Sequence, residues 1–152
     1  GQIQDLKQAT LQELKEIMEV NVWANKPLID YLSGRTLDQV VTISSGASVN
    51  GTRGWSGYSI SKAALNMLTK LYAAEMPEVH FTALAPGLID TAMQDYLCGL
   101  EKEEQFPALQ KLKSARNTPT MPTAIEAGKM IFDVIPGLLK HTSGSFIDVR
   151  NL

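Results

Sequence analysis

Leu11, Leu14, Ile17, Met18 and Val22 recur at three- and four-residue spacings, which is one face of a helix. Thr10 and Glu13 stand at capping-box spacing at its start, where they would satisfy N–H groups that a first turn leaves free. The pattern runs to about Leu32 and stops at Ser33-Gly34. A long helix is therefore predicted, kinked at Pro27, where one backbone hydrogen bond is lost.

Val40-Val41-Thr42-Ile43 is a short β-branched run and reads as a strand buried on both faces. A Gly- and Ser-rich stretch follows from Ser44 to Gly57, then a second helix from about Tyr58 to Glu75, ended by Pro77. Val79 to Ala85 reads as a second strand, closed by Pro86-Gly87. From Leu88 to Met121 the helical signal is weak. Thr123 and Glu126 repeat the capping-box spacing and open a helix that runs to Val134, and Gly144 to Val149 is a third strand. Strands alternating with helices imply βαβ units and a parallel sheet. Three strands after an opening helix are few for such a sheet, which needs both faces covered. The expected fold class is thus α/β: residues 1–152 form a single partial Rossmann-like domain, the C-terminal portion of a doubly wound parallel sheet.

Composition narrows the function classes. Net charge is −2, which gives no footing for nucleic acid. No apolar run reaches membrane-spanning length, and the first five residues lack a signal-peptide pattern. The one cysteine, Cys98, excludes an internal disulfide and fits a cytoplasmic protein. With His80 and His141 far apart, no zinc spacing can be assembled, so no metal is expected. Glu101-Lys102-Glu103-Glu104 reads as a solvated helix face.

The chemistry-bearing stretch is Tyr58-Ser59-Ile60-Ser61-Lys62. Positions i and i+4 share a helix face. An ammonium beside a phenol favours the phenolate, and a phenol tuned in this way exchanges a proton with a carbonyl oxygen or an alcohol. Ser45, thirteen residues earlier and just past a strand, could hydrogen-bond the same oxygen. Alone, the Tyr–Lys spacing carries little weight, and an ordinary surface pair would explain it. Its surroundings change that.

Ile43-Ser44-Ser45-Gly46, Tyr58-x-x-x-Lys62 and Ala85-Pro86-Gly87-Leu88-Ile89-Asp90-Thr91, with Val20-Asn21-Val22 upstream, resemble the short-chain dehydrogenase/reductase family in order and spacing. The resemblance covers nearly the whole chain. It implies Tyr58 as general acid in reduction, Lys62 as its partner and a binder of the nicotinamide ribose, and Ser45 as the residue that orients the carbonyl. Asn21 would hold a relay water. Pro86, Gly87, Ile89 and Thr91 would contact the nicotinamide end of NADP, with NAD as the alternative. Ser44-Ser45-Gly46-Ala47, Asp90-Thr91-x-Met93-Gln94 and Ser143-Gly144-x-x-x-Asp148 resemble the sepiapterin reductase and benzil reductase branch, which reduces pterin or aromatic diketone carbonyls with NADPH. That branch implies Asp148 as a substrate anchor. The family resemblance implies Met93, Gln94, Tyr96 and Leu97 as a lid over the substrate, with a plain amphipathic surface helix as the alternative. Trp55 is a candidate pocket wall, or simply packs beneath the loop.

The family's glycine-rich turn is not in this chain, and Gly51-Thr52-Arg53-Gly54 does not replace it, since no strand leads into it. The 152 residues alone are therefore expected neither to bind a dinucleotide tightly nor to turn over. The implied partners are a small carbonyl substrate and further copies of the chain, as a homodimer or homotetramer. A non-catalytic dinucleotide-binding regulator and an inactive structural fragment of the same fold are the alternatives.

Overall fold

The computed structural model describes residues 2–102 and 104–152. Three parallel strands, β1 (Gln39–Ile43), β2 (His80–Ala85) and β3 (Ser145–Asp148), lie in the order β1-β2-β3. Register runs from Gln39↔His80 to Ile43↔Leu84, and from Thr82↔Ser145 to Ala85↔Asp148. α1 (Leu11–Met18), α2 (Asn25–Ser33) and α3 (Ser56–Glu75) precede β2; α4 (Ala92–Cys98), α5 (Pro107–Ala115) and α6 (Ala124–Leu138) lie between β2 and β3.

Side chains alternate across the strands, so each sheet face has its own core. Phe81 packs with Ile29 of α2, Tyr72 of α3 and Val79, joined by Val40 and Leu68. On the other face Leu84 and Ile147 pack with Leu138 of α6, joined by Val41, Ile131 and Val134. Both faces of the parallel sheet are thus covered. The Tyr72 hydroxyl donates to Asp30 and ties α2 to α3; burial, and then that carboxylate, push its pKa up to about 12.

A third cluster stands apart from the sheet. Ile3, Leu97, Phe106, Leu109, Leu112 and Met121 are buried together, with Trp55, Leu88, Leu100 and Ala115 against them. It gathers α4, α5 and the N-terminal segment, where Gln4 forms an isolated parallel bridge with Trp55. Gly54 has φ +97°, and a Cβ there would meet Phe106 Cδ1 at 2.8 Å, so only glycine lets the chain turn against this core.

Four expectations change. The long first helix is broken ahead of Pro27, by a π-helical stretch over Glu19–Trp23 in which the Ala24 N–H reaches back to Glu19 O at 2.9 Å. Pro27 sits in the first turn of α2, where its missing N–H leaves no bond unmade. The strand expected to be buried on both faces is an edge strand among the described residues: Val40 and Val41 are half-buried and Ile43 is 46% exposed. It is β2 that is buried, from Phe81 to Ala85. α6 continues past Val134 through Pro136, because the carbonyl that loses its partner belongs to Phe132, which is 74% exposed and open to water. Of the charged run at 101–104, Glu103 lies outside the described residues, and the others are exposed between α4 and α5 rather than on a helix.

Candidate active site

In a parallel sheet, ligands sit at the carboxyl ends of the strands. Those ends carry the residues singled out by sequence: Ser45 follows β1, Pro86 and Gly87 follow β2, and Asp148 closes β3. α3 brings Tyr58 and Lys62 to the same edge. The Lys62 ammonium donates to Ile43 O, at the end of β1, at 2.8 Å. It lies 5.9 Å from the centre of the Tyr58 ring. Lys62 is half-buried, and loss of solvent holds its pKa below the ordinary lysine value.

Tyr58 stands in a cleft of about 340 Å³ lined by Gln2, Ile3, Trp55, Tyr58, Met93, Tyr96 and Leu97. Trp55 tilts against Tyr58 with ring centres 5.9 Å apart. Three of the four expected lid residues share this cleft. Gln94 does not; it is buried, and its Oε1 has no partner among the described residues. The Tyr58 hydroxyl makes no hydrogen bond to a described residue, so it is open to the cleft.

Ser45 is held by its own turn rather than by the cleft wall. Its Oγ accepts from Ala47 N–H at 3.2 Å, while its carbonyl accepts from Ser48 Oγ at 2.6 Å. A hydroxyl whose oxygen accepts a backbone bond keeps its hydrogen to donate elsewhere.

Asn21 lies in the π-helical stretch, where one extra residue turns it toward α3. Its Nδ2 donates to Ser61 Oγ at 2.9 Å, one residue before Lys62. Its carbonyl accepts from Asn25 Nδ2 at 3.0 Å. π-helical turns recur at functional sites because they re-aim one side chain within a helix.

Gly87 has φ +81°, and Ile89, two residues on, is half-buried. Ile89 N–H and C=O bond to no described residue, while Asp90 N–H is already committed to Pro122 O at 2.9 Å. These two groups are left to water or a ligand, and an amide-bearing ring could pair with both. Thr91 precedes α4; its carbonyl accepts from Gln94 and Asp95 N–H, and its side chain is exposed.

Asp148 is buried, and its carboxylate is gripped by Arg150: Nε to Oδ1 at 2.8 Å, Nη2 to Oδ2 at 2.5 Å, and the Arg150 backbone N–H to Oδ1 at 3.0 Å. That grip, opposed by partial burial, holds the carboxyl below its ordinary range. A Cβ built on Gly46 would lie 3.1 Å from Arg150 Nη2, so the fork sits against the Ser45 turn rather than in the Tyr58 cleft. Sequence reading missed Arg150. The signal lay in Asp148-x-Arg150, two residues apart at a strand end. It missed Asn66 too, which bonds Ser44 and Ser48, and the contribution of Gln2 and Ile3 to the cleft.

The family described as short chain dehydrogenase matches residues 1–99. The chain belongs to the short-chain dehydrogenase family. Its sequence relatives include the benzil reductase ((S)-benzoin forming) of Saccharomyces cerevisiae, 36% identical over 73% of this chain and 45% of that one. The sepiapterin reductase of Bos taurus is 44% identical over 72% of this chain and 40% of its own. The crystal structure of a short chain dehydrogenase/reductase from Saccharomyces cerevisiae superposes with a TM-score of 0.81 at 20% identity, over 97% of this chain and 60% of that one, a likeness of fold. The chain spans 38 to 50% of the length of the first curated relatives it matches. Two further solved structures of similar fold, at 22% and 19% identity, hold NADH and NADP, again a likeness of fold. No helix among the described residues is long and apolar enough to cross a membrane.

Proposed function

We propose that the protein to which these residues belong reduces a small carbonyl compound, a ketone or diketone carried on an apolar or aromatic frame, with Tyr58 as the proton donor. The observation that carries this reading is the placement of Tyr58: its ring lies in an apolar cleft while Lys62, one turn on, is anchored on β1 at Ile43 O. Tyr58 gives its proton to the substrate oxygen. Lys62 holds positive charge beside the phenol that loses it. Ser45 Oγ–H donates to the same oxygen. The second lone pair of the Asn21 carbonyl, beyond the one bonded to Asn25, receives the water that relays a proton to Lys62. Trp55, Met93 and Leu97 cover the apolar body of the substrate.

Tyr58, Lys62, Pro86, Gly87, Ile89 and Thr91 would hold the nicotinamide end of NADP, or of NAD, which supplies the hydride when bound. The pyrophosphate needs a glycine-rich turn that these 152 residues do not include. The chain is thus read as one partial Rossmann-like domain, and alone it neither binds NADPH tightly nor turns over. Micromolar NADPH binding by residues 1–152 would refute that statement. Asp148, gripped by Arg150, anchors a substrate only once that grip is shared. Exposed Leu11, Val20, Trp23, Met67 and Leu71 on α1 to α3 favour a homodimer or homotetramer. The lone cysteine favours the cytoplasm.

The test is a panel of aliphatic ketones, aromatic diketones and pterin carbonyls, offered with NADPH and with NADH to the full-length protein. Reduction of an aromatic diketone with NADPH is expected. If no carbonyl is reduced with either cofactor, the reading fails. The relatives named benzil reductase and sepiapterin reductase place diketones and pterins first on the panel.

A further inference from the structure

We infer that Asn66 is a positioning residue for Ser45, holding the serine turn to the helix that carries Tyr58; this rests on the reading of Ser45 given above. Tyr58, Lys62 and Asn66 stand four residues apart along α3 and therefore share one face. The last two meet the carboxyl end of β1, each differently. Tyr58 is in the cleft, Lys62 bonds Ile43 O, and Asn66 reaches the residues on either side of Ser45.

The hydrogen bonds run in one direction. Ser44 Oγ–H donates to Asn66 Oδ1. Asn66 Nδ2 donates to Ser48 Oγ at 2.8 Å. Ser48 Oγ–H donates to Ser45 O at 2.6 Å. Ser48 gives its only hydroxyl hydrogen to Ser45 O, so it needs a donor from α3, and Ser44 needs an acceptor. A side-chain amide supplies both, and at this position an apolar side chain supplies neither. Ser44 is buried, and Ser48 and Asn66 are half-buried, so the chain is partly shielded from competing water.

The consequence falls on Ser45 itself. Its carbonyl is fixed by Ser48 Oγ and by Ser48 N–H at 2.9 Å, and its hydroxyl oxygen by Ala47 N–H. Its backbone is extended, at φ −158° and ψ +150°. Asn66 touches neither Ser45 Oγ nor the Tyr58 cleft in this structure. Its influence on the reaction passes through the serine turn, and a displacement of about 1 Å there is enough to cost on the order of a hundredfold in rate.

The test is a double-mutant cycle in the full-length protein, reading kcat, KM and melting temperature. Asn66→Leu is expected to lower kcat about tenfold or more, with the cofactor KM nearly unchanged. In a Ser45→Ala background the same change should cost no more than about twofold, because the group it positions is already gone. A purely structural asparagine would give independent losses, so additive effects overturn the proposal, as does parental kcat in Asn66→Leu. Ser48→Ala breaks the same chain one bond further on and removes only an oxygen, so it serves if Asn66→Leu does not fold; it should repeat the non-additivity with Ser45→Ala, and additivity there overturns the proposal equally. If the parent protein reduces no carbonyl, the proposed function fails on its own account. The crystal structure of the Asn66→Leu or Ser48→Ala protein then decides: a displaced turn over 45–48 supports the positioning role, and an unmoved one overturns it.

Discussion

The seam between α3 and β1 and the cluster around Phe106 are built on opposite principles. The seam is polar. Lys62 bonds Ile43 O, Asn66 bridges Ser44 and Ser48, and Thr69 pairs with Thr42 at 2.7 Å, all along one helix face. Hydrogen bonds fix direction as well as distance, so the seam sets the aim of the side chains on it. The cluster is apolar: Ile3, Leu97, Phe106, Leu109, Leu112 and Met121 share a core without touching the sheet cores. Apolar contact is non-directional and tolerates sliding. Tyr58 stands on the helix of the polar seam, while Leu97, across the cleft, belongs to the apolar cluster, with Met93 and Tyr96 on the same helix α4. Under the proposed function, proton chemistry would sit on the hydrogen-bonded seam and substrate covering on a separately cored cap, a division suited to a lid.

The sharpest test of the seam is Tyr58→Phe in the full-length protein. It removes the proposed proton donor and keeps the ring. We expect kcat to fall by about 10² to 10⁴ with cofactor affinity nearly unchanged, read by steady-state kinetics and NADPH fluorescence titration. Parental turnover would remove Tyr58 from the mechanism.

The cap is tested by Phe106→Ala. Phe106 is 1% exposed, and truncation should cost about 3 to 5 kcal/mol. If the cap is separately cored, hydrogen exchange should accelerate in α4 and α5 while β2 and α3 stay protected. Equal loss of protection across all four would show that the two regions unfold as one and break the comparison.

A smaller effect is expected for Gly54→Ala, whose new methyl would stand 2.8 Å from Phe106 Cδ1 on a backbone at φ +97°. A destabilisation of about 1 to 3 kcal/mol, measured by urea denaturation, should again be confined to the cap.

The smallest effect is a pH dependence. Burial holds Lys62 below its ordinary value of 10.5. The unfolded chain then keeps this proton to higher pH than the folded one, and stability rises with pH where the unfolded state binds more protons. Lys62 should therefore contribute an increase in stability as pH climbs through its folded value toward 10.5, and none below that window. Urea titrations of parent and Lys62→Met proteins across alkaline pH isolate it. An identical pH slope in both would mean that Lys62 is not desolvated.

What sequence revealed and what it hid divide along a physical line. The capping boxes at Thr10–Glu13 and Thr123–Glu126 were legible because they are set by neighbours three residues apart, and both form. The helix of Tyr58 and Lys62 was legible for the same reason. The Asp148–Arg150 fork was equally local, yet strand periodicity drew attention to the β3 residues and not to the turn after them. The Asn66 bridge and the packing of Ile3 against Leu97 and Phe106 join residues far apart in the chain, and no local spacing announces them. The edge position of β1 was hidden because a β-branched run reads alike at the centre or the margin of a sheet.

The π-helical stretch has a consequence for chain length. An α-helix advances about 100° per residue, and the wide turn over Glu19–Trp23 absorbs one residue without advancing the helix by that amount. It lets two faces of different phase share one rod: Asn21 meets Ser61 while Ile29 and Asp30 beyond it meet the Tyr72 region. A chain one residue shorter between Met18 and Asn25 could run as one α-helix, lacking only the backbone bond that Pro27 cannot donate. Ile29 and Asp30 would then swing about 100° away from Tyr72, or Asn21 from Ser61. In this stretch the number of residues is as tightly constrained as their identity.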